Sequence, residues 1–112
     1  MPKTTKTEYI RFKAECLRIQ EKLGLYDWTF QFHLTKIKDC NNAEITTEPE
    51  RCLVVIDLNS NGITKSPEEL ARHEMGHLLV TRLRTMALTR FVSEEAIETE
   101  DERLANIIAR LL

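Results

Sequence analysis

One short segment contains residue types that could carry out metal-dependent hydrolysis. Residues 73–77 have the pattern His-Glu-x-x-His, with His73 and His77 four positions apart. In an α-helix, residues four apart lie about one turn apart on the same face, so both imidazoles would reach one point. Two imidazole nitrogens suit Zn²⁺, and Glu74 would act as the general base for a zinc-activated water. The segment therefore predicts a hydrolytic zinc site.

A catalytic zinc ion usually has a third protein ligand, which the sequence offers as a carboxylate rather than a histidine. The remaining histidine, His33, falls on the polar side of an alternating strand pattern. Acidic residues are concentrated in the C-terminal part of the chain, namely Glu94, Glu95, Glu98, Glu100, Asp101 and Glu102. Helix geometry alone does not choose among them.

The element that must position the histidines has a clear start. Ser66 is a good N-cap residue, Pro67 suits the first helical position and Glu69 would complete a capping box. We expect this helix to run to about Arg84. The 73–77 segment then lies in its middle, where both rings are aligned.

Two further helices are predicted from apolar residues spaced three and four apart. The first covers residues 5–23, with Thr5 and Glu8 as a capping box and Gly24 as its stop. The last covers roughly residues 94–111. Its expected buried stripe consists of Ile97, Leu104, Ile108 and Leu111.

The middle of the chain has the pattern of strands. Residues 28–34 alternate between apolar and polar types, residues 52–58 are rich in β-branched types, and residues 43–47 form a shorter candidate. We expect a small, mainly antiparallel three-stranded sheet. Together with the helices it describes an α+β fold, with residues 1–112 forming a single domain.

Length and charge exclude several classes of protein. A chain of 112 residues allows one domain. Sixteen Lys and Arg against eighteen Asp and Glu give a net charge of −2, so no basic field favours direct binding to nucleic acid or to an anionic membrane. No apolar run is long enough for a membrane span, and residues 1–6 lead into a charged helical pattern without a secretory signal.

The cysteines indicate the redox environment. Cys16, Cys40 and Cys52 are odd in number and have no Cys-x-x-Cys spacing, so we predict free thiols and a reducing, cytoplasmic location. A Cys40–Cys52 pair across a hairpin is the less favoured alternative.

The C-terminal residues resemble a known family. Residues 102–112 are similar to the Glu-x-x-Ala-Asn-x-Phe-Ala segment that follows His-Glu-x-x-His in the ImmA/IrrE-type metallopeptidases, and to the wider gluzincin pattern Glu-x-x-x-Asp, with Asn106 in place of Asp. The resemblance implies that Glu102 is the third zinc ligand and that Asn106 orients a zinc-binding histidine. Glu98, on the same helix face, is the alternative ligand.

A second resemblance concerns residues 23–30, Leu-Gly-Leu-Tyr-Asp-Trp-Thr-Phe, which are similar to the opening of small, phage-type zinc peptidases. It implies a minimal zincin-like fold with an N-terminal helix, a small sheet, a metal helix and a C-terminal helix that carries the third ligand. In such proteins the edge of the sheet lies along the cleft. We expect a peptide to pair with the strand at residues 52–58.

These observations predict a zinc-dependent metallopeptidase that acts on a peptide or protein substrate. Glu74 would take a proton from the activated water and pass it to the leaving amine. The alternative is a zinc-stabilised binding module of the same fold without catalysis, and a third reading is a metal-free adaptor. Because the chain is short, a partner protein that supplies substrate specificity is also compatible with it.

Substrate positioning and charge stabilisation have several candidate residues. Donors to a tetrahedral oxyanion are Tyr9, Tyr26, His33 and Arg72. Candidates for holding a substrate carboxylate are Arg72, Arg82, Arg84 and Arg90, although exposed helix arginines need no such role. The sequence does not choose among them.

Overall fold

The computed structural model describes residues 2–38, 41–89 and 92–111. Over these ranges the chain forms an α+β fold, as predicted. Its elements are α1 (Lys6–Leu23), β1 (Thr29–Thr35), β2 (Ala43–Glu48), a 3₁₀ turn (Pro49–Arg51), β3 (Leu53–Asn59), α2 (Pro67–Leu88) and α3 (Glu94–Leu111). None of these helices combines the length and the apolar character that crossing a bilayer requires.

The three strands form a mixed sheet in the order β1-β3-β2. β2 is antiparallel to β3, but β1 is parallel to it, so the expectation of a mainly antiparallel sheet is wrong for one of the two pairings. The central strand, β3, is the most apolar of the three, and its side chains Val54, Ile56 and Leu58 are fully buried. The two more exposed strands flank it and form the edges of the sheet.

One face of the sheet packs against α1 and α2. The Lys13 ammonium lies 5.5 Å from the centre of the Phe32 ring, which places α1 beside β1. The Thr47 and Thr81 hydroxyls are 2.7 Å apart, which places α2 beside β2. The shared core contains Phe12, Cys16 and Leu23 from α1, Leu70, Ala71, Met75 and Leu78 from α2, and Val54, Ile56 and Leu58 from β3.

The helix ends follow the predicted signals. In α1, the Thr5 hydroxyl accepts a hydrogen bond from the Glu8 amide at 3.1 Å, and the Glu8 carboxylate accepts one from the Thr5 amide at 2.9 Å. In α2, the Ser66 hydroxyl accepts from the Glu69 amide at 3.2 Å, but the Glu69 carboxylate does not accept from the Ser66 amide, so only half of the predicted capping box forms. α2 ends at Leu88, four residues beyond the predicted end, because no glycine or proline stops it.

The face that α3 buries differs from the prediction. Ile97, Ile108 and Leu111 are about half exposed, whereas Glu100 and Ile107 are buried. The Glu100 carboxylate can be buried because it is paired with the Arg103 guanidinium at 2.7 Å. The predicted apolar stripe of α3 is therefore wrong as a description of its packing, although its bounds are confirmed.

Two of the cysteines lie in the described part of the chain. Cys16 is buried in the core and Cys52 is half-buried, and both are free thiols, as predicted. Burial raises the pKa of the Cys16 thiol to about 12, which keeps it protonated and unreactive at neutral pH. Cys40 lies outside the described residues, and with it the alternative Cys40–Cys52 pair.

Two glycine-to-alanine substitutions should have opposite effects on stability. Gly24 ends α1 with φ of 67°, where a Cβ is strained, so Gly24→Ala should lower the free energy of unfolding by about 1 kcal/mol. Gly76 lies within α2, and a Cβ there would meet no atom within 4 Å. Gly76→Ala should raise the free energy by about 0.5–1 kcal/mol. Urea denaturation followed by circular dichroism measures both, and equal effects would contradict the left-handed end of α1.

Candidate metal centre

α2 brings the two predicted zinc-binding histidines together. The Nε2 atoms of His73 and His77 are 3.2 Å apart, and their ring planes are nearly perpendicular at 89°. Two Zn–N bonds of about 2.0–2.1 Å at a tetrahedral angle would separate the nitrogens by about 3.3 Å. The two imidazoles are exposed and therefore match zinc in both spacing and access.

Glu74 lies between the histidines in sequence but on the buried side of the helix, with 6% of its surface exposed. Burial is the main reason that the pKa of Glu74 is raised, and the nearby Glu44 carboxylate raises it further. Positive charge on His73 and His77 acts in the opposite direction. A carboxylate with a raised pKa beside two imidazoles is suited to accept and return a proton.

These side chains line an open cleft between β2 and α2. The cleft has a volume of about 660 Å³, with residues 43–47 on one wall and His73, Glu74 and His77 on the other. A second cavity of about 270 Å³ continues past His73 toward Lys65. The cleft therefore extends along α2 on both sides of the histidine pair.

The strand beside the cleft is β2 and not β3. β3 is hydrogen-bonded on both sides, so the expectation that a peptide pairs with residues 52–58 is wrong. β2 is an edge strand, and the backbone groups on its outer side have no partner strand in the described sheet. An extended chain that enters the cleft would pair with β2 instead.

The predicted third ligand does not lie in this cleft. Glu102 and the supporting Asn106 are exposed on α3, as is the alternative Glu98. Across residues 2–38, 41–89 and 92–111, no group of three or more His, Cys, Asp or Glu side chains could hold a metal ion. The structure thus brings together His73, Glu74 and His77, and the assignment of Glu102 stays a prediction.

The packing of α3 explains why Glu102 does not line the cleft. Leu111 lies in a groove with Met75, Gly76 and Leu79 of α2. Met75 and Leu79 are roughly half a turn around the helix from the histidines, at about 100° per residue. α3 therefore covers the side of α2 that faces away from the cleft.

The candidate oxyanion donors also lie elsewhere. None of Tyr9, Tyr26, His33 and Arg72 lines the cleft. His33 Nδ1 is 3.0 Å from an Asp57 oxygen on the opposite face of the sheet. The Arg72 guanidinium donates to the Glu15 carboxylate at 3.1 Å.

Of the arginines considered for a substrate carboxylate, one lines the cleft. Arg82 donates to Asp27 at 3.1 Å and lies over the Trp28 ring, whereas Arg84 faces the cleft. Arg90 lies outside the described residues. Sequence reasoning missed the polar residues that β2 and its approach contribute, namely Asn41, Glu44 and Thr46. No local signal marks them, because their role depends on which strand lies beside α2.

No family model, curated protein or solved structure matches this chain. The case for a metal centre therefore depends on the chain's own residues. Its strongest elements are the spacing of the two imidazoles and the buried carboxylate beside them.

The burial of Glu74 should make the stability of the metal-free protein depend on pH. Because its pKa is raised in the native state, the native protein binds this proton more readily than the unfolded chain does, and stability falls as the pH rises through that pKa. Glu74→Gln removes the ionisation with little change in shape. We expect the variant to be more stable than wild type by on the order of 1 kcal/mol at pH 8, with a smaller difference at pH 4.

Urea denaturation in the presence of a chelator measures this difference. Glu21→Gln is the matched control, because Glu21 is exposed on α1. The control should show no such gain. A Glu74→Gln advantage that is absent or independent of pH would contradict a buried carboxylate at this position.

Proposed function

We propose that this protein is a zinc-dependent metallopeptidase, with His73 and His77 as zinc ligands and Glu74 as the general base. The observation that carries the proposal is the 3.2 Å separation of the two Nε2 atoms, exposed in an open cleft beside a buried carboxylate. Zinc in such a site supplies Lewis-acid polarisation of a carbonyl and lowers the pKa of a water. The imidazole pair fits that ion.

The chain's own chemistry centres on Glu74. Its carboxylate accepts a proton from the attacking water and returns it to the leaving amine. Burial supports the first step, because a carboxylate with a raised pKa accepts a proton more readily than an exposed one would, and it also brings the pKa closer to neutral pH, where the same group can return the proton. The same residue therefore serves as base and then as acid.

β2 supports a peptide as the substrate. An extended chain would add to the outer edge of this strand and gain main-chain hydrogen bonds. The neighbouring side chains of Thr46 and Asn41 offer further polar contacts along the cleft. Pairing of this kind holds the backbone in register and so places one peptide bond beside the histidines and Glu74.

For the third ligand we propose Glu102, with Asn106 supporting a histidine and Glu98 as the alternative. This assignment is supported by the family resemblance and not by the packing of α3. To serve as a ligand, Glu102 would have to reach the cleft side of α2.

A zinc-stabilised binding module is the second candidate. It is favoured by two features of the described residues: no third ligand joins the histidines, and none of the four candidate oxyanion donors lines the cleft. Such a module would bind zinc and a peptide without cleaving it. Zinc would then raise the melting temperature, because it binds only the folded state.

Glu74→Gln should separate these two functions. In a metallopeptidase the variant should keep its zinc and lose about 10²–10⁴-fold in peptide hydrolysis, the usual contribution of a general base. Metal content by mass spectrometry and cleavage of a peptide library measure the two effects. Glu21→Gln, an exposed change on α1 outside the cleft, is the control. Full hydrolysis by Glu74→Gln would exclude the mechanism, and zinc binding without cleavage by wild type would favour the binding module.

The ligand set is tested by zinc affinity. His73→Ala and His77→Ala should each abolish stoichiometric binding, since each removes one of two preformed ligands. Glu102→Ala should weaken binding at least tenfold, whereas Glu98→Ala should leave it unchanged. The reverse order for the two glutamates would assign Glu98 as the ligand. Unchanged affinity in both variants would remove α3 from the site.

A further inference from the structure

Arg84 differs from the other arginines in the described part of the chain. The seven others each donate a hydrogen bond to a carboxylate or to a backbone carbonyl. Within residues 2–38, 41–89 and 92–111, Arg84 makes no such bond. It is exposed and lines the cleft that contains the histidine pair. Its guanidinium is therefore available to a ligand in that cleft.

The position of Arg84 along the cleft follows from the packing of β2 on α2. The bond between the Thr47 and Thr81 hydroxyls aligns these two elements, and Glu44 acts electrostatically on Glu74 at the other end of the strand. β2 and α2 therefore run in the same direction. Arg84 lies one turn beyond Thr81, past the end of the strand segment that lines the cleft.

Charge is distributed unevenly along the cleft. The carboxylates of Glu44 and Glu74 lie at the His73 end, and the guanidinium of Arg84 lies at the other end. Between them the walls carry neutral side chains such as Thr46 and Val80. On the other side of the histidine pair, the cavity that continues the cleft contains Lys65 together with the acidic Glu69, so Arg84 is the cation that has no carboxylate beside it in the cleft lining.

The distance from the histidines to Arg84 can be converted into a number of residues of an extended peptide. His77 and Arg84 are seven residues apart, which is about 10 Å along a helix with a rise of 1.5 Å per residue. An extended peptide covers that distance in about three residues. A peptide antiparallel to β2 runs from the Arg84 end toward the Glu44 end. The residue near Arg84 then precedes the scissile bond.

We propose that Arg84 is a specificity-determining residue that selects substrates with an acidic side chain about three residues before the scissile bond. The inference rests on the proposed function, because it takes the histidine pair as the reacting centre. A guanidinium and a carboxylate form charge-assisted, often bidentate hydrogen bonds, which lysine or a neutral residue would not reproduce. Arg84 binds and positions the substrate and takes no part in bond cleavage.

The test is a cleavage profile of a peptide library with zinc-loaded protein, read by mass spectrometry. Wild type should prefer Asp or Glu over Asn or Gln about tenfold at one position, as expected for a charge-assisted hydrogen bond in a partly desolvated site. Arg84→Ala should remove this preference, and Arg84→Glu should replace it with a preference for Lys or Arg at the same position. Lys6→Glu changes the net charge equally, lies outside the cleft and should keep the wild-type profile.

A binding measurement distinguishes failure of this inference from failure of the proposed function. Fluorescence anisotropy with zinc-loaded Glu74→Gln protein should show tighter binding of labelled acidic decapeptides than of their amide counterparts, and Arg84→Glu in the same background should reverse the order. Cleavage without charge preference, or a profile that Arg84→Glu leaves unchanged, would overturn the role of Arg84 alone. Absence of cleavage by wild type would overturn the peptidase, and equal binding of both peptide sets would then overturn the role of Arg84 as well.

Discussion

The rotation of α2 about its own axis is the constraint on which the candidate site depends. Met75 and Leu78 are buried against α1 and the sheet, which fixes the face that the helix presents to the core. With that face fixed, helical periodicity directs His73 and His77 into the cleft and leaves Glu74 at the boundary between core and solvent. The histidine pair and Glu74 therefore occupy different environments although they are neighbours in sequence. The hydroxyl contact between α2 and β2 then closes one side of the cleft.

The mixed topology of the sheet has a direct consequence for the cleft. Because the most apolar strand, β3, is central, the hairpin partner β2 becomes the edge beside α2, and β1 pairs on the far side in parallel. A meander with β2 in the centre would have left β3 as the edge strand. In such a meander, both sides of β2 would be hydrogen-bonded to neighbouring strands, and no extended chain could pair with it. Burial in the core thus determines which strand borders the cleft.

Local signals predicted what local interactions determine. The Thr5 and Ser66 caps, the stop at Gly24 and the meeting of His73 with His77 all involve residues within a few positions of one another. Strand pairing and helix docking depend on distant contacts, and here prediction was incomplete. The parallel partner of β3, the buried face of α3 and the choice of Arg84 over Arg82 each follow from packing between elements far apart in sequence. The polar residues of β2 in the cleft belong to the same class.

The observed packing of α3 differs from the packing that the proposed metal site would require. The observed packing buries the Glu100–Arg103 pair, and a buried ion pair contributes little net stability because desolvation offsets most of the attraction. Ile97, Ile108 and Leu111 remain about half exposed, so each forgoes roughly 1 kcal/mol of the 1.5–3 kcal/mol that full burial provides. If Glu102 is the third ligand, as proposed, the part of the zinc-binding free energy that this ligand adds would favour a different docking of α3. At about 100° per residue, Ile97 and Leu111 lie on the opposite side of α3 from Glu102, so the metal and the apolar stripe favour different orientations of this helix.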